Sequence, residues 1–134
     1  MTVAPRDTNL VWRSAGALTA TETLPNKFIR GGTGIRGMSL QVLIPSKSGT
    51  SPTLVIDLKE KDASSGNIVR THTLPQVIGT DTFPMLLSFD FVSDLEYYDV
   101  VLTVGGTTPS FGVVEVWVGP PSGRVSSALK AIAA

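Results

Sequence analysis

The chain is built on alternation. Met38, Leu40, Val42 and Ile44 are separated by Ser39, Gln41 and Leu43, a period of two that predicts a strand with one buried face. Leu54, Ile56 and Leu58 alternate with Val55, Asp57 and Lys59 in the same way. Phe83, Met85, Leu87, Phe89 and Phe91 form a third run, and Tyr98, Val100, Leu102 and Val104 a fourth. A further strand is predicted from Phe111 to Val118, with weaker candidates at Asn9–Ser14, Ala17–Thr23 and Asn67–Leu74. Loop signals punctuate these runs. Ser64-Ser65-Gly66-Asn67 reads as a hairpin loop, and Gly105-Gly106-Thr107-Thr108-Pro109 as the break between the last two strong strands. Short strands at regular spacing predict an all-β fold, a sandwich or barrel of about eight strands, with an antiparallel β-sandwich of jelly-roll type as first choice.

The ends differ from this body. Residues 1–8 are polar, carry Pro5, and read as an N-terminal arm; residues 9–118 read as the β-sandwich domain. Residues 119–134 read as a C-terminal tail that opens on Gly119-Pro120-Pro121-Ser122-Gly123 and ends in a stretch of helical composition from Ser126 to Ala134. One short repeat stands inside the body. Gly49-Thr50-Ser51-Pro52-Thr53 and Gly106-Thr107-Thr108-Pro109-Ser110 share the pattern G-T-[ST]-P-[ST]. Proline suits the first residue of a strand, so both read as similar strand-entry loops; a duplication, or two loops paired at one end of the sandwich, is the alternative.

Composition narrows the function classes. The chain has 134 residues, 11 basic and 11 acidic, one histidine and no cysteine. That length suits one domain with a real core. Without cysteine there is no disulfide, thiolate metal site or cysteine nucleophile. Zero net charge argues against a nucleic-acid or anionic-membrane partner, and the absence of a basic, aromatic-interleaved stretch agrees. No apolar leader or membrane-spanning run is present, which predicts a soluble chain with nothing that asks for secretion.

Charge placement says more than the total. Arg6, Arg13, Lys27, Arg30 and Arg36 precede Gly37, whereas no Lys or Arg lies between Thr71 and Gly123, where Asp81, Asp90, Asp94, Glu96, Asp99 and Glu115 fall. Either these halves pair within one molecule, or a basic arm reaches an acidic neighbour. The strand faces raise a parallel choice. Phe111, Val113, Glu115 and Trp117 share one face of the last strand, and Val114, Val116 and Val118 the other, so both are largely apolar. Such strands are covered on both sides within the fold or meet another subunit. Arg6, Trp12, Arg13, Val113 and Trp117 are the candidate interface residues.

Catalytic motifs are weak. His72, the single histidine, sits in an alternating stretch and reads as an ordinary strand residue. Gly32-Thr33-Gly34-Ile35-Arg36-Gly37 matches G-x-G-x-x-G, but it leads into a strand, whereas a dinucleotide site needs a helix there. Asp90, Asp94, Glu96 and Asp99 cluster in sequence without calcium-loop spacing, and read as a solvated acidic loop. No catalytic residue, metal ligand or cofactor is assigned.

Two segments carry a resemblance. Ser48-Gly49-Thr50-Ser51-Pro52-Thr53-Leu54-Val55-Ile56-Asp57-Leu58-Lys59-Glu60, and Tyr98-Asp99-Val100-Val101-Leu102-Thr103-Val104-Gly105-Gly106-Thr107-Thr108-Pro109-Ser110-Phe111, together resemble a pattern recurring in small virion proteins of tailed bacteriophages. They are similar to β-sandwich decoration, or cement, proteins of phage capsids. The resemblance covers about residues 48–118. It implies a structural, non-enzymatic homo-oligomer, usually a trimer, made in the host cytoplasm and placed on the capsid exterior of the virion. There it contacts the major capsid protein and bridges capsomers. Related modules occur in head fibres and tails, so a carbohydrate- or receptor-binding module is the alternative, with Trp12, Trp117, Tyr97 and Tyr98 as ring platforms. Its calcium would sit at Asp94, Glu96 and Asp99. A glycan-cleaving enzyme using the acidic cluster is a third.

Overall fold

The computed structural model describes residues 11–29, 32–34, 37–63, 66–119 and 129–132. Two antiparallel sheets pack face to face as a β-sandwich, and no helix occurs among the described residues. The strands are β1 (Val11–Ala17), β2 (Glu22–Phe28), β3 (Met38–Ile44), β4 (Ser48–Lys61) and β5 (Ile68–Thr73). They continue with β6 (Val77–Ile78), β7 (Met85–Phe91), β8 (Tyr97–Ser110), β9 (Val113–Gly119) and β10 (Leu129–Ile132). The first sheet runs β1-β9-β3-β7-β10; the second runs β2-β8-β4-β5, with β6 also on β4.

The pairing is nested. β1 pairs β9, β2 pairs β8, β3 pairs β7, and β4 pairs β5, so the first strands lie beside the last and the innermost pair is a hairpin. Its turn is closed by Asp62 N–H to Asn67 C=O at 3.2 Å and Gly66 N–H to Ala63 C=O at 3.0 Å. Most other connections cross from sheet to sheet, the exceptions being β5 to β6 and β9 to β10.

That core follows the alternation. Leu54, Ile56 and Leu58 from β4 and Tyr98, Val100 and Leu102 from β8 meet Leu40, Val42 and Ile44 from β3 and Val114, Val116 and Val118 from β9. Trp12, Leu18, Leu24 and Phe111 fill the side where β1 and β2 pass between sheets. Leu18 exchanges backbone bonds of 3.1 and 3.0 Å with Gly112 and Phe111, fixing that crossing.

Three expectations change. First, β3 is buried on both faces: Ser39 and Gln41, in the phase opposite to the core, are as enclosed as Leu40 and Val42. They survive enclosure because they satisfy one another, Ser39 Oγ and Ser88 Oγ lying 3.0 Å apart and Gln41 Nε2 donating to both hydroxyls. Second, Leu129–Ile132 is not helical but a strand paired with Met85–Ser88. A segment this short gains little from helix propensity, whereas the edge of β7 offers a ready ladder. This part of the tail therefore belongs to the sandwich. Third, Gly105-Gly106-Thr107-Thr108-Pro109 does not separate strands but lies within β8, whose end comes at Ser110.

Candidate functional site

The Leu54, Ile56, Leu58 phase of β4 ends on a carboxylate. Glu60 occupies the next core-facing position, with its side chain only 1% exposed. Its neighbours on β5 are set by register, Glu60 opposite Arg70 and Leu58 opposite His72. Arg70 Nη2 donates to Glu60 Oε1 at 3.1 Å, and His72 Nε2 is hydrogen-bonded to Oε2. The Ser93 hydroxyl, from the Val92–Glu96 connection, also donates to Oε1. Aromatic rings wall the cluster. His72 lies 5.2 Å from Phe89 of the opposite sheet, and Tyr98 meets Phe91 and Trp12 edge-on at 5.7 and 6.5 Å.

The glycine-rich motif serves this cluster. Thr33 N–H donates to Ser93 C=O at 2.9 Å, and Ser93 N–H donates back to Thr33 Oγ1 at 2.8 Å. Gly32, at φ +76°, lies so close to the Ser93 carbonyl that no side chain fits. The loop before β3 thus holds Ser93, and Ser93 holds Glu60.

Electrostatics favour a fixed, ionised carboxylate. Burial pushes the Glu60 carboxyl up, but the hydrogen bonds from Ser93, His72 and Arg70 outweigh it and hold the group below its ordinary range. The Arg70 guanidinium is raised by its bond to Glu60. Burial raises the Tyr98 phenol, whose hydroxyl donates to Leu95 C=O.

Serine, histidine and a carboxylate meet here, but in the wrong order for nucleophilic catalysis. A triad puts the imidazole between the hydroxyl and the acid. Here the carboxylate stands between Ser93 and His72, one oxygen for each, and the Ser93 oxygen also accepts Leu95 N–H at 3.1 Å. The arrangement ties β4, β5 and two loops into one clasp.

The acids of the sequence cluster separate. Asp99 pairs with Lys61 at 3.2 Å, while Asp94 is 95% exposed and 4.0 Å from Arg70. Among the described residues, no three His, Asp or Glu side chains converge as a metal site would require.

The candidate interface residues also divide. Arg6 lies outside the described residues. Trp12 and Arg13 belong to β1. Trp12 is packed in the core. Arg13 bridges the sheets, bonding Glu22 of β2 at 3.0 Å and the carbonyls of Gly16, Ala17 and Val114. The hydrogen bond from Arg13, with its charge, lowers the Glu22 carboxyl, with burial opposing. Trp117 is fully buried and lies outside the inter-sheet core cluster, so it presents no ring to a partner. Val113, half exposed, remains available. Of the four rings considered as platforms, Trp12, Trp117 and Tyr98 are buried; only Tyr97 reaches the surface, 5.1 Å from the half-exposed Phe28.

The short repeat proves to be one structure. β4 and β8 are both 14 residues long and pair from Lys61↔Tyr97 to Ser48↔Ser110, so the two G-T-[ST]-P-[ST] segments lie against each other. They match in conformation: Gly49 and Gly106 have φ of +98° and +105°, and Ser51 and Thr108 of +48° and +45°. A side chain on Gly49 would strike Thr108 and Pro109, and one on Gly106 would strike Ser51 and Pro52. The paired-loop alternative is therefore the arrangement found, and neither segment is a separate strand entry. Residues 46–51 and 106–108 at the ribbon's end are exposed. An open cleft of about 390 Å³ lies beside it, between Lys47, Ser51 and Pro52 and the Ile78–Thr80 turn.

Comparison of the chain with family models, with curated proteins and with solved structures finds no match. One feature was absent from the sequence reading and another was only an alternative in it. Glu60 was detectable as a charged residue continuing a buried phase, two positions after Leu58. The pairing of the two repeats carried no such local mark.

Proposed function

We propose that this is a structural virion protein, a decoration or cement protein on the outer surface of an icosahedral phage capsid. In this reading it works without cofactor or catalysis, contacts the major capsid protein, and stabilises the joints between capsomers as a homo-oligomer, trimeric in the class it resembles. The observation that carries the reading is the nested pairing of β1 with β9, β2 with β8, β3 with β7 and β4 with β5. We read this winding as a jelly roll, an architecture that recurs in viral capsid and lectin domains. The two segments that carry the resemblance supply further support, since both fall on the β4–β8 ribbon, whose far end is exposed and almost free of charge.

Adhesion suits the rest of the molecule. The buried acidic constellation around Glu60 is engaged within the fold, and the reading takes surface contacts as the working parts. Val113 and the ribbon end are the described contact candidates, and the arm at residues 1–8, with Arg6, is the third. Each contact is small, and several engaged at once raise the overall affinity through effective concentration. The test is a binding titration on capsids stripped of the protein. Deleting residues 1–8 should weaken occupancy at least severalfold while leaving the melting curve intact; unchanged occupancy removes the arm from the mechanism.

The Phe28–Tyr97 ring pair favours one second reading, a glycan-binding module of a fibre or tail. Glycan-array binding lost in Phe28→Ala would support it over the capsid role.

A further inference from the structure

Strand β5 has a thin hold on the sandwich. It closes the second sheet at one side, and among the described residues no strand pairs with its other edge. Five of its six side chains are exposed, and His72 alone turns partly inward. Its hold therefore comes from the β4 ladder and from Arg70 and His72, which stand two residues apart on one face and share the Glu60 carboxylate. Just beyond the strand, Leu74 is packed in the core and donates its N–H to Ile56 C=O at 2.9 Å, a firm anchor at that end.

Charge makes the hold conditional. Around Glu60 stand Arg70 and His72 from β5, Ser93 from the connection after β7, and Tyr98 from β8, whose phenol donates to Leu95 C=O. From the opposite sheet, β7 contributes Phe89 and Phe91, which carry no charge. Lys61, the next residue along β4, pairs with Asp99. Asp94 lies 4.0 Å from Arg70 but is 95% exposed, where water screens it. Glu60 is thus the buried anion on which both basic side chains of β5 depend. Protonating His72 alone leaves an anion between two cations, a pairing that holds. Protonating Glu60 as well leaves Arg70 and His72 as neighbouring cations beside a neutral acid.

We infer that the clasp is an acid-released catch: neutralising it frees β5 from β4, hinged at Leu74, while the rest of the sandwich stays folded. Opening bares the edge of β4 from Asp57 to Glu60, a row of backbone groups able to take another strand. It also uncovers the Phe89 ring, whose centroid lies 5.2 Å from that of His72. The direction of the pH effect is fixed by the carboxyl. Its hold is complete above the ordinary value of 4.5 and is lost as pH falls through the lower folded-state value, so the catch opens below about 4.5. It works in the same way whether or not the chain sits on a capsid.

Native-state hydrogen exchange, followed by NMR and corrected for the intrinsic pH dependence of exchange, reads such local opening. From Arg70 to Leu74 the even-numbered residues turn their N–H toward β4, in phase with the Leu74–Ile56 bond. Between about pH 7 and about pH 3.5, protection at the Arg70 and His72 amides should fall about tenfold or more relative to Val42 and Val116 of the β3–β9 ladder. In Glu60→Gln that protection should already be low at neutral pH and no longer respond to acid. Lys59→Cys combined with Thr71→Cys adds a facing, non-hydrogen-bonded pair about 4.5 Å apart, within disulfide reach, in a chain with no other thiol. Oxidised, this variant should keep β5 protected in acid; reduced, it should release it. A fall shared equally by both sheets overturns the inference, since acid then unfolds the sandwich as a whole. So does β5 protection that ignores pH, or an acid response that survives in Glu60→Gln or in the oxidised double variant. If Glu60→Gln does not fold, the wild-type pH series and the disulfide pair decide.

Discussion

Glu60→Gln is the sharpest perturbation of the fold, because it keeps the shape of the side chain and removes only the charge. The wild-type carboxylate accepts from Ser93, His72 and Arg70 while almost fully enclosed. Hydrogen bonds to a charged group contribute about 1.5–3 kcal/mol each, and breaking one side of a buried ion pair costs about 3–5 kcal/mol. Two effects reduce this figure. Glutamine no longer pays the desolvation of a charge, and Arg70, half exposed, turns to water. The amide NH₂ group, however, must face a donor. The net expectation is a loss of about 2–3 kcal/mol at pH 7, or roughly 6–15 °C in Tm for a chain of this size. Urea and thermal denaturation followed by circular dichroism measure it. The pH dependence gives an independent check. A carboxyl held below its ordinary value of 4.5 contributes stability that is fully present above that value. The contribution is lost as pH falls through the folded-state value, where the wild-type group becomes neutral like glutamine. The gap between the two proteins should therefore be present at pH 7 and close on acidification below about 4.5. A gap under about 0.5 kcal/mol at pH 7, or one that persists in acid, would refute the clasp.

Further outcomes follow from the same packing. Gly106→Val should cost about 2–4 kcal/mol, since φ there is +105° and the new side chain strikes Ser51 and Pro52, whereas Gly34→Ala, at φ +76° beside open space, should cost only about 1 kcal/mol. Chemical denaturation separates the two. Trp117→Ala should destabilise by about 3–5 kcal/mol, while Val113→Ser changes stability by no more than about 0.5 kcal/mol; equal effects would contradict their burial. Arg13→Ala should cost about 1–3 kcal/mol and loosen β1 from β2, seen as faster amide exchange at Glu22 and Leu24.

Much of the fold was legible because a strand's period writes burial directly into sequence. The Leu54, Ile56, Leu58 and Tyr98, Val100, Leu102 runs point where their alternation says. Partner choice was not legible: nothing local in Val11–Ala17 announces β9, which starts only at Val113. Glycine and proline misled at Gly105–Pro109, where left-handed residues bend a long strand without ending it. The tail misled for a related reason, since Leu129–Ile132 takes its form from the edge of β7 rather than from its own alanines. For the interface residues, the sequence marked Trp12 and Trp117 as large rings but could not tell a ring in the interior from one on the surface. Glu60 was legible in principle: a carboxylate in a buried phase must find donors, though not which ones.

The proposed capsid role is tested most directly on purified virus particles that encode the chain, by quantitative mass spectrometry joined to cryo-electron microscopy. The account predicts a fixed copy number per shell and β-sandwich density on the outer capsid surface, seated where capsomers meet. Absence of the chain from the particles, or density confined to the tail, would contradict it.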